Sequence, residues 1–174
     1  MSDVDIRPAG PGDVAAITRI YGEAVAHGTA TFEIVPPDES EMARRQQALL
    51  TNGYPYLVAE QAGAVAGYAY AGPYHARPAY RWSVEDSIYV APQFHRLGLG
   101  RLLMARLIAE AQARGFRQMI AVIGDSANAA SIALHAAAGF RRIGTLQSVG
   151  FKHGRWLDAV LMQRPLGSAD TTPP

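Results

Sequence analysis

The chain has 174 residues, 49% of them hydrophobic and 18% charged, with a net charge of +1 and no cysteine. That length suits one domain with a real core, and the composition excludes a disordered chain. The near-neutral charge leaves no electrostatic footprint for nucleic acid, and the lack of cysteine excludes disulfides, cysteine-ligated zinc and a thiol nucleophile.

In chain order, residues 5–8 read as a short first strand. Gly12-Asp13 opens a helix, with Asp13 as its cap and Val14, Ile17, Ile20, Tyr21 and Val25 on its apolar face. Gly28 to Phe32 is a break, and Pro36-Pro37-Asp38 starts a second helix over Met42, Leu49 and Leu50. Tyr56 to Ala59 and Val65 to Tyr70 are strands joined by the turn Gln61-Ala62-Gly63. Trp82 to Val90 is another strand. Beyond it lies a helix with Leu99, Leu102, Leu103, Leu107 and Ile108 on one face, stopped by Gly115. Met119 to Ile123 is a continuous apolar run, the pattern of a strand buried on both faces. Asn128 to Ala138 is helical and ends at Gly139. Strands near 142–149 and 157–163 close the domain, which spans residues 1–166; the polar tail 167–174 is expected to fray. The reading is a single α/β domain, a mixed sheet with helices on both faces. No apolar run is long enough to cross a bilayer and no signal-peptide form is present, so a cytoplasmic location without a membrane partner is expected.

The chemistry concentrates around His95-Arg96-Leu97-Gly98-Leu99-Gly100. A strand, then a glycine-rich turn, then a helix makes an anion site, because the turn's N–H groups and the helix N-terminus face one point. Glycine leaves no Cβ between the ligand and the backbone. Alone, the same residues are also an ordinary helix start. Upstream, Glu85 and Asp86 sit in an otherwise apolar strand, and alternation sends them to opposite faces. Glu85 is either a cleft carboxylate able to act as a general base or a solvated strand residue paired with Arg77 or Arg81. Asp86 reads as structural. Downstream, Asn128 and His135 lie about two helical turns apart and share a face. The histidines show no metal-ligand spacing, so no metal is expected, and Ser87 lacks a nucleophile elbow.

The ordered blocks Gly72-Pro73-Tyr74, Val84-Glu85-Asp86-Ser87-Ile88-Tyr89-Val90, Arg96-Leu97-Gly98-Leu99-Gly100, Ala121-Val122-Ile123-Gly124 and Gly150-Phe151-Lys152-His153-Gly154-Arg155-Trp156 cover nearly the whole chain. Together they resemble the GCN5-related N-acetyltransferase (GNAT) superfamily, and within it the phosphinothricin and methionine sulfoximine N-acetyltransferases. The resemblance implies a mostly antiparallel sheet with a splayed central parallel strand pair, acetyl-CoA as co-substrate, a small amino-acid-like amine as acceptor, and a homodimer. It implies direct transfer in a ternary complex, with Glu85 as general base and His135, where many members have Tyr, as general acid toward the thiolate. It places acetyl-CoA on Ile88, Tyr89, Val90, His95, Arg96, Leu97, Gly98, Leu99, Gly100, Arg101, Asn128 and Ser131, with the Val90 N–H polarising the thioester. Asn128 either contacts the pantetheine arm or caps its helix. Phe32, His75, Arg77, Tyr80 and Lys152 are the acceptor-side candidates, although aromatics in strands commonly serve the core instead. The chain departs from the family at His95, where Gln or Arg is usual, and at His75, where phosphinothricin enzymes carry Lys. A neutral His supplies no fixed cation, which favours a sulfoximine over a phosphinate. Other amine acceptors, and a non-catalytic acyl-CoA-binding module on the same fold, are the alternatives.

Overall fold

The computed structural model describes residues 4–174. Its elements are β1 (Val4–Pro8), α1 (Val14–His27), α2 (Glu39–Thr51), β2 (Tyr56–Gln61), β3 (Ala64–Pro73), β4 (Ser83–Val90), α3 (Leu99–Ala113), β5 (Gln118–Gly124), α4 (Ala129–Ala137), β6 (Arg141–Lys152) and β7 (Arg155–Pro165). The order matches the sequence reading. The seven strands form one sheet, β1-β2-β3-β4-β5-β7-β6, antiparallel throughout except for β4 beside β5.

Local chemistry sets the element ends. Asp38 caps α2, its carboxylate accepting from the Glu41 N–H at 2.8 Å. Ala62 and Gly63 both take positive φ in the β2–β3 turn, the backbone a two-residue hairpin needs. Burial follows strand alternation. Tyr56, Val58 and Tyr68 pack toward α1 and α2, whereas Leu57, Ala59, Ala69 and Ala71 pack toward α3. Four tyrosines, Tyr56, Tyr68, Tyr70 and Tyr89, stack on the first face with centroids 5.0–6.3 Å apart.

Three expectations need correction. Asp13 stands at the start of α1 but does not cap it. Its carboxylate instead takes two 2.8 Å hydrogen bonds from Arg7 and one from the Gly10 N–H. Leu102 is 46% exposed, and its place on the buried face of α3 belongs to Met104. β5 is not buried on both faces, since Val122 is 39% exposed. The apolar run looks continuous because one of its faces lines a cleft rather than a core.

The Arg7–Asp13 pair ties β1 to the start of α1, with Glu60 of β2 as a second partner of Arg7. Hydrogen bonding from Arg7 holds the Asp13 carboxyl below the usual carboxylate range, against the opposing effect of burial. A depressed carboxylate stabilises the fold above its unfolded pKa, and that contribution is lost as pH falls through the folded value. Asp13→Ala is expected to cost about 1.5–3 kcal/mol at neutral pH in urea unfolding. The difference between variant and parent should shrink in acid.

Candidate active site

The site begins where the parallel pairing stops. β4 and β5 pair only at Ser83↔Gln118, Val84↔Met119 and Glu85↔Ile120. Beyond that, β4 stays with β3 through Gly67↔Val90, and β5 stays with β7 through Gly124↔Ala159. A wedge therefore opens between residues 86–89 and 121–124, closed at its edges by Ala30, Asn128, Ser131 and His135. Strands that leave a shared ladder keep unpaired backbone donors and acceptors along the gap.

At the open end of β4 the chain turns into α3. Arg96 has φ 64° and Gly98 φ 82°, both left-handed. Gly98 takes that conformation without strain. Gly100 serves packing instead, since a Cβ there would lie 3.3 Å from Leu134 of α4. Leu99 and Gly100 occupy the first turn of α3, whose N–H groups lack partners within the helix. Arg96, Leu97 and Arg101 are exposed around them. His95 turns Nε2 to the Val90 carbonyl at 2.9 Å, fastening this loop to the end of β4.

At the closed end, Glu85 and Asp86 face opposite sides as alternation requires. Burial first, and then the neighbouring Asp86 charge, push the Glu85 carboxyl above its ordinary range. Asp86 is buried toward α4, where its Oδ2 lies 2.9 Å from His135 Nε2. His135 Nδ1 lies 2.7 Å from the Ser131 carbonyl. Burial alone would lower the imidazole pKa, but Asp86 and the Ser131 carbonyl outweigh it and the net shift is upward. Asn128 caps α4, its Oδ1 accepting from the Ser131 N–H at 3.2 Å.

The α1–α2 connection crosses the other side of the wedge under several restraints. Thr29 Oγ1 donates to Asp125 Oδ2 at 2.7 Å, and Arg155 Nη2 reaches the same oxygen at 2.5 Å. Lys152, only 3% exposed, donates from Nζ to the Thr31 carbonyl at 2.9 Å. Burial lowers the Lys152 pKa, with Glu33 opposing. The Phe32 ring lies over Gly150, where an added Cβ would come within 2.6 Å of Cε2. His75, Arg77 and Tyr80 sit in the exposed β3–β4 connection, outside the cleft lining, with His75 packed on Tyr74 at 4.0 Å and Tyr80 at 4.9 Å.

A profile of the acetyltransferase (GNAT) family matches residues 17–140. The chain belongs to the GNAT acetyltransferase family. It is 53% identical to a phosphinothricin N-acetyltransferase of Alcaligenes faecalis, over 97% of this chain and 86% of that protein. It is 44% identical to an L-methionine sulfoximine/L-methionine sulfone acetyltransferase of Salmonella typhimurium, over 92% of this chain and 94% of that one. The fold superposes on a GNAT phosphinothricin acetyltransferase from Sinorhizobium meliloti, solved with acetyl-CoA, with TM-score 0.96 and 50% identity. That match covers 100% of this chain and 94% of the other.

As in the expected GNAT architecture, the central parallel pair is splayed. Ile88, Tyr89, Asn128, Ser131 and His135 line the wedge together, and residues 95–101 flank its open end. Arg101 also borders a larger concavity of about 690 Å³ between α3 and α4, away from the wedge. Among the described residues, no cluster of His, Asp or Glu is placed to hold a metal ion. The sequence reading missed Ala30, Gly124 and Asp125. Ala30 falls in the break at residues 28–32 and Gly124 and Asp125 follow the β5 apolar run, but the contact of Thr29 with Asp125 that joins the two segments spans 96 residues of chain.

Gly124 is where the α1–α2 connection passes closest. A Cβ there would stand 2.6 Å from the Thr29 carbonyl oxygen and 2.8 Å from that of Ala30. Both are backbone atoms, so the connection must shift. Gly124→Ala is expected to destabilise by about 1–3 kcal/mol, seen as a fall of several degrees in Tm. An unchanged Tm would mean the connection is not seated as described.

Proposed function

We propose that this acetyltransferase moves the acetyl group of acetyl-CoA onto the α-amine of a small amino-acid-like acceptor, of the methionine sulfoximine, methionine sulfone or phosphinothricin type. The observation that carries it is the wedge opening immediately beyond Glu85, with the phosphate-type loop at its far end. The relatives carry names of that acceptor class.

In this reading the first turn of α3 and the 95–100 backbone hold the pyrophosphate. The pantetheine arm runs along the unpaired edge of β4, and the thioester oxygen takes a strand N–H. Such a donor contributes about 3 kcal/mol in the transition state. Glu85 removes a proton from the acceptor ammonium, and its raised pKa brings it nearer the working range of a base. His135 supplies the proton for the leaving thiolate. No cysteine exists to carry an acetyl-enzyme, so the amine attacks the thioester directly. Phe32 forms part of the acceptor wall. His75, in the exposed β3–β4 connection outside the cleft lining, offers a phosphinate no fixed cation of the kind a lysine would, which is the basis for expecting slower phosphinothricin turnover.

The chain also pairs with a second copy in this reading. Ile143, Leu146, Val149, Phe151 and Trp156 on the edge strand β6 and its partner β7 are 49–64% exposed, an apolar stripe on an unpaired sheet edge. Val149→Lys is expected to shift a dimer toward monomer in light scattering; a parent that is already monomeric removes this part of the proposal.

The deciding experiment is acetyl-CoA-dependent thiol release with methionine sulfoximine, methionine sulfone, phosphinothricin, ordinary amino acids and spermidine. Fast release with the sulfoximine or sulfone, and slower release with phosphinothricin, is expected. Release confined to ordinary amino acids or spermidine would overturn the acceptor assignment. Gly150→Ala, which displaces the Phe32 ring, should raise the acceptor KM several-fold while leaving the acetyl-CoA KM near its parent value.

A further inference from the structure

Asp86 presents a problem that the reading above does not absorb. Its side chain is 1% exposed, and its Oδ1 is buried without a hydrogen-bond partner. A carboxylate kept in such a place must offset a large desolvation cost. Its one strong contact is the 2.9 Å approach of Oδ2 to His135 Nε2.

The contacts of the His135 ring constrain its protonation. Nδ1 of His135 faces the Ser131 carbonyl at 2.7 Å, and a carbonyl oxygen only accepts, so Nδ1 carries hydrogen. Nε2 faces a carboxylate oxygen at 2.9 Å, and two bare lone pairs do not sit at that distance, so a second proton lies between them. Protonation of both ring nitrogens satisfies both contacts, and it gives the pair one proton more than a neutral imidazole beside an ionised carboxylate. The ring is locked from three sides. Ser131 is one turn back on the same helix, Asp86 comes from β4, and the Phe140 ring stands edge-on at 5.0 Å. Glu85, on the opposite face of β4, is close enough for the Asp86 charge to act on it. Toward β5 and the α1–α2 connection, the wedge offers the aliphatic side chains of Ala121, Ile123 and Ala30.

We infer that Asp86 is a positioning residue for the acetyl transfer, holding His135 in its doubly protonated form and in one ring orientation at the vertex of the wedge. The inference rests on the reading in which His135 serves the leaving thiolate. An isolated buried imidazole would be neutral at pH 7, with its single N–H engaged by the Ser131 carbonyl and no proton on Nε2. The Asp86 carboxylate reverses that, and the upward shift at His135 agrees with it. In the transfer, the amine nitrogen bonds to the thioester carbon and the C–S bond breaks with its electron pair going to sulfur. The acceptor ammonium loses one proton to Glu85 before it attacks, the sulfur takes the proton that the pair gives up, the nitrogen's second proton passes to solvent as the amide forms, and solvent then reprotonates the pair and deprotonates Glu85. Two carboxylates adjacent in sequence thus do opposite work on opposite faces of one strand. Glu85 takes a proton, and Asp86 keeps one in place.

The test uses the full chain and two variants. Asp86→Asn keeps the side chain's shape and a hydrogen bond to Nε2 while removing the charge that holds the second proton. Asp86→Glu keeps the charge. Side-chain nitrogen NMR of His135 should show both nitrogens protonated in the parent at pH 7, and only Nδ1 protonated in Asp86→Asn. In the same variant kcat should fall about 10²-fold and its alkaline limb should move to lower pH, with the acetyl-CoA KM within about twofold of the parent. Asp86→Glu should recover part of the rate. A singly protonated His135 in the parent at pH 7 would overturn the inference. So would an unchanged kcat–pH profile in Asp86→Asn. The NMR measurement needs no acceptor, so a parent that releases no thiol on any amine would refute the proposed function while leaving the pair's proton content separately decided.

Discussion

Everything at this site depends on the parallel ladder between β4 and β5 ending after three residue pairs. Had it continued, Asp86 to Val90 would be buried backbone in the middle of a seven-stranded sheet. Because it stops at Glu85↔Ile120, both strands keep their outer partners and separate only from each other. The sheet is thereby divided into halves that share one short hinge of hydrogen bonds. The gap between them gives access to the strand backbone beyond Glu85 and to the helix that carries His135.

The two halves are held at that spacing by contacts that cross the gap. His135 on α4 reaches Asp86 on β4. On the other face, Thr29 reaches Asp125 at the end of β5, and Lys152 reaches the Thr31 carbonyl. These are buried or part-buried bonds involving charged groups, each of which costs more to leave unmade than it contributes when made. This is a physical reason for the polar residues in an otherwise apolar neighbourhood: β4 carries two carboxylates, and β6 buries a lysine.

Much of this was legible in the sequence because the signals are local. Asp38, Gly63, Gly98, Gly115 and Gly139 mark element boundaries through caps and positive φ, which depend on a few adjacent residues. The glycine turn before α3 carried the anion-site reading, and the order of blocks carried the family. What the sequence concealed is long-range. Nothing near Asp86 marks His135, 49 residues on, as its partner, so Asp86 read as structural. Nothing near Gly150 shows that Phe32 lies on it. The apolar run of β5 has the same pattern whether its neighbour is a core or a cleft, which is why Val122 read as buried. Asp13 looked like a cap because caps are local, and the Arg7 side chain that engages it comes from the preceding strand.

The central claim is that Glu85, at the point where the strands part, removes the proton from the acceptor amine. The pH dependence of kcat/KM for the acceptor, measured on the parent and on Glu85→Gln, tests it most directly. Because burial and Asp86 raise the Glu85 pKa, the parent's acid limb should lie above the ordinary carboxylate range. The variant should lose that limb and fall about 10²–10⁴-fold near neutral pH, with acetyl-CoA binding intact. A variant that retains both the rate and the limb would contradict the account.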